Sequence, residues 1–137
     1  INIPGREKSS HDARVIFEAA LREIKDQNLH ILEKSIVEAS CGFEAIFCVH
    51  AKACELKRAM ILIEDAHPLG RFMDLDVIDE KGNILSRTVQ NLPKRSCYLC
   101  DQPSIVCARE QAHSLDALLT HIHKKVVMYE SNRTPGL

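Results

Sequence analysis

The 137-residue chain has little that would mark it as a secreted, membrane-spanning or nucleic-acid-binding protein. Its six cysteines are too sparse for a small scaffold held together by disulfides. No apolar run approaches the roughly 20 residues that a membrane-spanning helix needs. Because 18 basic side chains stand against 19 acidic ones, no large net charge calls for nucleic acid or an anionic membrane. We therefore expect a cytoplasmic protein whose partners include neither nucleic acid nor a membrane.

The sequence also lacks internal repeats, low-complexity tracts and linkers, so nothing in it argues for a second domain. A chain of this length that is 45% hydrophobic can bury one core. We predict a single α+β domain over residues 1–130, with a mixed or antiparallel sheet and helices at both ends, followed by a flexible tail over residues 131–137. The first residue is Ile1 rather than Met, and we expect the natural chain to begin further upstream.

The first half of the chain alternates between helical and extended patterns. Ser9, with Asp12 three residues later, resembles the start of a capping box, and apolar residues then recur at helical spacing. Residues 9–27 are therefore predicted to form an amphipathic helix. Residues 31–41 and 43–49 favour two strands of a hairpin around the breaker Gly42. The continuous apolar run over residues 59–63 is typical of a central strand, and a short helix is expected before it.

The second half is predicted to contain a second hairpin and a last helix. Residues 72–79 and 84–87 alternate in the manner of strands, with a turn between them, and the loop before them contains Pro68 and Gly70. A polar loop that contains cysteines follows. Ser114 begins a helix whose apolar residues share one face: Leu115, Leu118, Leu119, Ile122 and Val126.

Two carboxylates, Asp74 and Asp76, lie two residues apart on the predicted strand of the second hairpin. Residues at this spacing point to the same side of a strand, while Leu75 and Val77 would face the core. Paired carboxylates can hold Mg²⁺, which completes its coordination shell with water and substrate phosphates. The alternative is a polar strand edge that simply faces solvent.

The charge distribution around this pair favours a phosphate-containing substrate. Residues 64–80 contain six acids and one base, whereas residues 81–109 contain five bases and one acid. A metal-triphosphate substrate needs both, because the cation screens some oxygens and basic side chains screen the others. The basic candidates and the neighbouring loop residues that could contact substrate are Gly70, Arg71, His67, Arg87, Lys94, Arg95 and Arg109. Alternating surface charge is the simpler explanation.

A second group of candidate ligands lies further along the chain. Cys97, Cys100, Cys107 and His113 supply three thiols and an imidazole within 17 residues, and the Cys-x2-Cys spacing suits a tetrahedral metal. A structural Zn²⁺ site is the sharper hypothesis. The alternatives are thiols packed in a loop and, less well supported, a redox pair, which would lie between a strand and a helix.

These motifs together resemble one known family, that of the apo-citrate lyase phosphoribosyl-dephospho-CoA transferases. The resemblance extends from about Glu64 to Ile122, and more weakly back to Ile1. It rests on the following segments: His67-Pro68-Leu69-Gly70-Arg71-Phe72-Met73-Asp74-Leu75-Asp76-Val77, Ile84-Leu85-Ser86-Arg87, Leu92-Pro93-Lys94-Arg95 and Cys97-x2-Cys100-x6-Cys107-Ala108-Arg109-x3-His113.

The resemblance implies a nucleotidyltransferase-type reaction. The 2'-(5''-triphosphoribosyl)-3'-dephospho-CoA group would pass to a serine of the acyl carrier (gamma) subunit of citrate lyase, releasing pyrophosphate. Asp74 and Asp76 would hold Mg²⁺, with Glu64 as a third carboxylate, and one aspartate would accept the serine proton. The pyrophosphate would be bound by basic residues: Arg71, Arg87, Lys94 or Arg95. Related nucleotidyltransferases have Gly-Ser before the Asp-x-Asp hairpin, where this chain has Gly70-Arg71.

Two other functions compete with this interpretation. Asp74-Leu75-Asp76-Val77 also fits the nucleophile motif of a haloacid-dehalogenase-type phosphatase. Such an enzyme needs a long apolar strand before the first aspartate and a doubly wound sheet. The non-enzymatic alternative is a small zinc-stabilised module that binds another protein through its cysteine loop.

Overall fold

The computed structural model describes residues 1–133 and contains four α-helices and a two-stranded sheet. In chain order these are α1 (His11–Asp26), β1 (Ile31–Ala39), β2 (Gly42–Val49), α2 (Ala53–Ala66), α3 (Ser104–Glu110) and α4 (Leu115–Arg133). Two short 3-10 helices lie at Gly70–Phe72 and Arg87–Gln90. The α+β class and the helices at both ends of the domain are confirmed. None of the helices in this part of the chain is both long and apolar enough to cross a membrane.

The first helix and the first hairpin form close to their predicted ranges, but the predicted helix start at Ser9 is wrong by one residue. Ser10 is the N-cap of α1, and its hydroxyl accepts a hydrogen bond from the Ala13 N–H. Strands β1 and β2 pair antiparallel in a register that places Ser35 opposite Ile46. One face of the hairpin packs on α1, where the rings of Phe17 and Phe43 stack with centroids 5.5 Å apart.

The core lies between α1, α2, α4 and the chain that follows α2. Its largest fully buried side chains come from several elements, so no single helix or strand encloses it: Ile16, Leu69, Phe72, Met73, Ile122 and Val126. The last helix, α4, begins directly after Ser114, its predicted cap. The Ser114 hydroxyl accepts a hydrogen bond from the Ala117 N–H. On the predicted apolar face only Ile122 and Val126 are buried, whereas Leu115 and Leu119 are exposed.

The prediction of a central strand over residues 59–63 is wrong. These residues are part of α2, in which Met60, Ile61 and Ile63 are buried while Leu62 is 63% exposed. A helix buries one face and exposes the other. A short apolar run can therefore lie in a helix in which residues before and after the run complete the buried face. Here Lys57 and Glu64 complete that face.

The prediction of a second hairpin is not confirmed. Residues 73–77 are extended but have no neighbouring strand, and pairing with the following segment is limited to one antiparallel bridge, Ile78 to Ile84. Two backbone hydrogen bonds flank this bridge: Leu85 N–H to Val77 O at 2.9 Å and Asp79 N–H to Asn83 O at 3.0 Å.

The predicted tail is partly helical. Residues 131–133 are the last residues of α4, so the helix continues into the segment predicted to be flexible. Residues 134–137 of that prediction lie outside the described part of the chain.

Candidate active site and cysteine cluster

Asp74 and Asp76 lie on the exposed side of an extended segment. The side chains alternate as expected of an extended chain: Met73 and Val77 are buried, Leu75 is half-buried, and the two aspartates face solvent. The exposed side of this segment therefore carries both carboxylates.

The buried edge of this segment is held by side chains rather than by a strand. Arg95 donates from Nη1 to the Met73 carbonyl at 2.9 Å. The Leu75 N–H donates to Glu64 Oε1 at 2.9 Å, and the Leu75 carbonyl accepts from Lys57 Nζ at 3.3 Å. Side chains thus provide the hydrogen bonds that a neighbouring strand would otherwise make, and the segment belongs to no sheet.

Five charged residues form one ion-pair network behind the aspartates. Arg87 Nη2 lies 2.9 Å from Glu64 Oε2 and 2.8 Å from Asp65 Oδ1. Arg95 Nη2 lies 3.2 Å from both Glu64 Oε1 and Asp74 Oδ1. Although burial acts in the opposite direction, the hydrogen bonds to Asp65 and Glu64 raise the pKa of Arg87. The network connects the end of α2 to two later loops and to one of the two aspartates.

This network changes the interpretation of the charge pattern. The acidic and basic segments meet, and Arg87 and Arg95 are already paired with carboxylates. By contrast, Asp76, Lys94 and Arg109 are exposed, and their side chains make no hydrogen bond or ion pair within residues 1–133. These three side chains are therefore available to a ligand.

Arg71 is held over an aromatic ring at the edge of the same site. Its guanidinium carbon lies 4.8 Å from the centroid of the Tyr98 ring, and its Nη2 donates to the Ser96 carbonyl. Tyr98 is anchored in turn by a 2.6 Å hydrogen bond to the Asn2 carbonyl. Burial, and next the guanidinium of Arg95, lower the pKa of Arg71. The buried Nε of Arg71 has no hydrogen-bond partner among the described residues.

Gly70 is required by close packing. A Cβ at this position would lie 2.4 Å from the Glu64 carbonyl oxygen and 2.6 Å from that of Ile63. The Gly70 N–H donates to the His67 carbonyl at 2.8 Å. This N–H is therefore not free to bind a phosphate.

His67 is buried beside α4 and α1. Its Nδ1 accepts from the Leu69 N–H at 3.0 Å, and its ring centroid lies 5.1 Å from that of Tyr129. Burial lowers the pKa of His67, and the charge of Glu23, whose Oε1 is 3.8 Å from Nε2, opposes this shift. The ring thus contacts Leu69, Tyr129 of α4 and Glu23 of α1, and not the two aspartates.

The four residues of the predicted metal site do come together. The ligand atoms of Cys97, Cys100, Cys107 and His113 all lie within 4.8 Å of one another. Cys100 Sγ is 3.4 Å from Cys107 Sγ and 3.3 Å from His113 Nε2. A bridge between Ser96 and Pro103 closes the loop that carries the first two cysteines.

These distances can be tested against those of a metal site. Zinc–sulfur bonds of about 2.3 Å in a tetrahedron place two sulfurs about 3.8 Å apart, whereas a disulfide requires about 2.05 Å. The observed 3.4 Å between Cys100 and Cys107 is near the first value and excludes a bond between them. Burial, and then the neighbouring thiols, raise the pKa of Cys107 to about 12. Although burial opposes it, the N–H groups of Leu99 and Cys100 lower the pKa of Cys97. The group can hold a metal ion.

Sequence analysis missed several residues that build this site. Lys57 was assigned to a short helix without a role, and Tyr98 and Asn2 were not considered. The only signal for Lys57 is its spacing of seven residues from Glu64, which places both on one side of a helix. That signal was hidden because residues 59–63 were predicted to form a strand.

Comparisons with known proteins identify the class of protein that this fold and site represent. The family model for apo-citrate lyase phosphoribosyl-dephospho-CoA transferase matches residues 1–129. The probable transferase of this name from Vibrio cholerae serotype O1 (strain M66-2) is 38% identical over 129 residues, covering 90% of this chain and 72% of the relative. The transferase of Escherichia coli O139:H28 (strain E24377A / ETEC) is 42% identical over 123 residues, covering 87% of this chain and 67% of the relative.

These relatives place the chain in a class of group-transferring enzymes. The chain belongs to the apo-citrate lyase phosphoribosyl-dephospho-CoA transferase family.

Proposed function

We propose that this protein transfers the 2'-(5''-triphosphoribosyl)-3'-dephospho-CoA group to a serine of the acyl carrier subunit of citrate lyase, as a nucleotidyltransferase-type enzyme. The observation that carries the proposal is the pair of exposed aspartates on a segment held from behind by α2, in a chain of this family. Both the substrate and the carrier subunit follow from the family relationship.

The reaction requires one bond to form and one to break. The serine oxygen bonds to the α-phosphorus, and the bond from that phosphorus to the oxygen bridging it to the β-phosphate breaks. Pyrophosphate leaves with the electron pair of that bond. The serine proton passes to a carboxylate, for which we propose Asp76, because its oxygens have no partner within residues 1–133.

We propose that Asp74 and Asp76 also hold Mg²⁺. The donor set fits, since both side chains are exposed carboxylates and only Oδ1 of Asp74 is occupied, by Arg95. When bound, Mg²⁺ would offset negative charge on the phosphate oxygens. Glu64 is a weaker candidate for a third ligand, because both of its oxygens already accept hydrogen bonds.

The basic residues divide into two groups in this proposal. Lys94 and Arg109 are exposed and unpaired within the described chain, so they are our candidates for binding the leaving pyrophosphate. Arg71 joins them because, unlike Arg87 and Arg95, it forms no ion pair with a carboxylate within residues 1–133. Arg87 and Arg95 are paired with acids, and we assign them to holding the site together.

The experiment is to incubate the protein with the triphosphoribosyl substrate, Mg²⁺ and the apo carrier subunit, and to measure the mass of the carrier. We expect a gain equal to the prosthetic group, and the loss of that gain in Asp74→Asn and in Asp76→Asn. Glu80→Gln is the matched control, because Glu80 is an exposed carboxylate of the same acidic segment without a partner in residues 1–133.

An unmodified carrier with the parent protein would contradict the reaction. Transfer at the parent rate by either aspartate variant would contradict the role assigned to that residue. Each variant should unfold at the temperature of the parent, since exposed carboxylates rarely determine stability.

We further propose that the cysteine cluster binds Zn²⁺ as a structural ion. Three thiols and one imidazole are a common zinc ligand set, and the separations of Cys100 from Cys107 and His113 suit a tetrahedron. Metal analysis of the purified protein should give close to one zinc per chain, and Cys107→Ser should lose it. Less than a small fraction of one zinc per chain would contradict the proposal.

The phosphatase alternative finds little support. Asp74 follows a 3-10 helix instead of an apolar strand, and the described residues contain an antiparallel pair of strands and no doubly wound sheet. A protein-binding module that depends on zinc alone would be indifferent to Asp74→Asn.

We also propose a cytoplasmic location, because none of the six cysteines forms a disulfide, as expected in a reducing compartment.

A further inference from the structure

Two charged side chains are buried in the described part of the molecule, and both come from α2. Lys57 and Glu64 are each 5% exposed. Seven residues separate them, which places them on one side of the helix about 10.5 Å apart along its axis. Two buried charges on one side of one helix call for a common explanation.

That explanation is the residue between the two aspartates. Glu64 Oε1 accepts from the Leu75 N–H at 2.9 Å, and Lys57 Nζ donates to the Leu75 carbonyl at 3.3 Å. In an extended chain the N–H and C=O of one residue point to the same edge, where a neighbouring strand would bind both. Lys57 and Glu64 thus take the place of a neighbouring strand and bind both polar groups of the Leu75 backbone.

A contribution to stability does not explain why Lys57 is buried. Glu64 forms ion pairs with Arg87 and Arg95, whereas no carboxylate lies within 4.0 Å of Lys57 among residues 1–133. Burying an ammonium group without a paired charge is costly, and one hydrogen bond to a carbonyl compensates little of that cost. Such exceptions to ordinary packing are concentrated at functional sites.

We infer that Lys57 is a positioning residue, which holds the Leu75 carbonyl so that Asp74 and Asp76 keep the orientation needed to bind a divalent cation. This inference rests on the proposed function of the two aspartates. Lys57 itself touches neither substrate nor metal. Its effect passes through the backbone between the two carboxylates.

The test is Lys57→Met, which keeps the length of the side chain and removes the charge and the donor. Mutation of residues that hold metal ligands in place typically lowers metal affinity by about 10- to 100-fold. We therefore expect the dissociation constant for Mn²⁺, measured by electron paramagnetic resonance, to rise at least about ten-fold. The kcat of carrier modification should fall by a similar factor, and the KM for the carrier subunit should change little.

Stability separates positioning from packing. Since Met replaces a buried, unpaired charge, the melting temperature should stay within about 4 °C of the parent or increase. Lys57→Arg restores a charged donor and should recover part of the Mn²⁺ affinity. Ile61→Val, a conservative change at a buried α2 residue that makes no hydrogen bond to Leu75, is the matched control and should leave Mn²⁺ binding unchanged.

The outcomes distinguish this inference from the proposed function. If Asp74→Asn abolishes Mn²⁺ binding and transfer while Lys57→Met matches the parent in both, Lys57 is not a positioning residue. An equal loss of Mn²⁺ affinity in Ile61→Val would also overturn the inference. If Asp74→Asn itself retains Mn²⁺ binding and transfer, the proposed function of the aspartates fails first.

Discussion

Replacing Glu64 by Gln should destabilise the protein more than any other single change of a charged group in the network. The side chain of Glu64 is 2% exposed, and those of its partners Arg87 and Arg95 are 14% and 18% exposed. Gln keeps the shape but removes the charge, and its amide N–H₂ group must face at least one guanidinium. Both arginines then lose their ion pair with residue 64, and the one that faces the amide N–H₂ also loses a hydrogen-bond acceptor, because both groups are donors.

The magnitude follows from the burial of this group. Removing one partner of a buried salt bridge costs about 3 to 5 kcal/mol, because the remaining charge is left without compensation. Arg87 keeps its ion pair with Asp65 and Arg95 keeps its pair with Asp74, and Gln retains one acceptor oxygen. We therefore expect the lower end of this range, about 3 kcal/mol. In a domain of this size each kcal/mol lowers Tm by about 3 to 4 °C, which gives a decrease of roughly 10 °C.

Thermal unfolding followed by circular dichroism measures this decrease, and urea unfolding gives the free energy directly. Glu80→Gln is the control, because Glu80 is exposed and has no partner in residues 1–133. A decrease in Tm of less than about 3 °C, which corresponds to about 1 kcal/mol, would refute the reasoning. Glu64 would then behave as a surface ion pair in spite of its burial.

Three further predictions concern packing, pH and helix capping. Gly70→Ala should lower the free energy of unfolding by about 3 kcal/mol, since the added Cβ would meet two backbone carbonyls of α2, whereas Gly82→Ala meets no atom and should cost about 1 kcal/mol through backbone strain alone. Because burial lowers the pKa of His67, its protonation favours the unfolded chain, so stability should fall as pH decreases below about 6.5, and less steeply in His67→Gln. Ser10→Ala should cost about 1 kcal/mol and Ser9→Ala almost nothing, because Ser10 caps α1.

Urea unfolding at pH 7.5 and pH 5.5 measures all three. Equal effects of the two glycine substitutions would mean that the chain can shift away from α2. A pH dependence unchanged in His67→Gln would assign it to other groups. A larger cost for Ser9→Ala than for Ser10→Ala would place the helix start one residue earlier.

The elements that could be predicted are those with a complete local signal. Helix α1 has an apolar face and a serine next to its start, and the first hairpin has two β-leaning segments on either side of residues 40–42. The last helix begins after the predicted Ser114. In each case the local pattern predicts the type of element and places its ends to within about two residues.

The prediction for α2 was wrong because its hydrophobic pattern is ambiguous. A run of five apolar residues fits a buried strand as well as a buried helix segment, and only the environment separates the two. The buried face of α2 also includes Lys57 and Glu64, two residue types that are seldom buried without partners. Their partners lie far along the chain, so their burial could not be read from local spacing.

The candidate site shows the same division between sequence and tertiary structure. By itself the sequence determined the family, the alternation that exposes Asp74 and Asp76, and the spacing of the cysteine cluster. These depend on neighbouring residues along the chain. Only the tertiary structure decided which charges pair, because Arg87 and Arg95 meet Glu64 across 23 and 31 residues. It also decided that side chains of α2 hold the Leu75 backbone where a strand was predicted, since buried polar groups must find partners wherever the fold provides them.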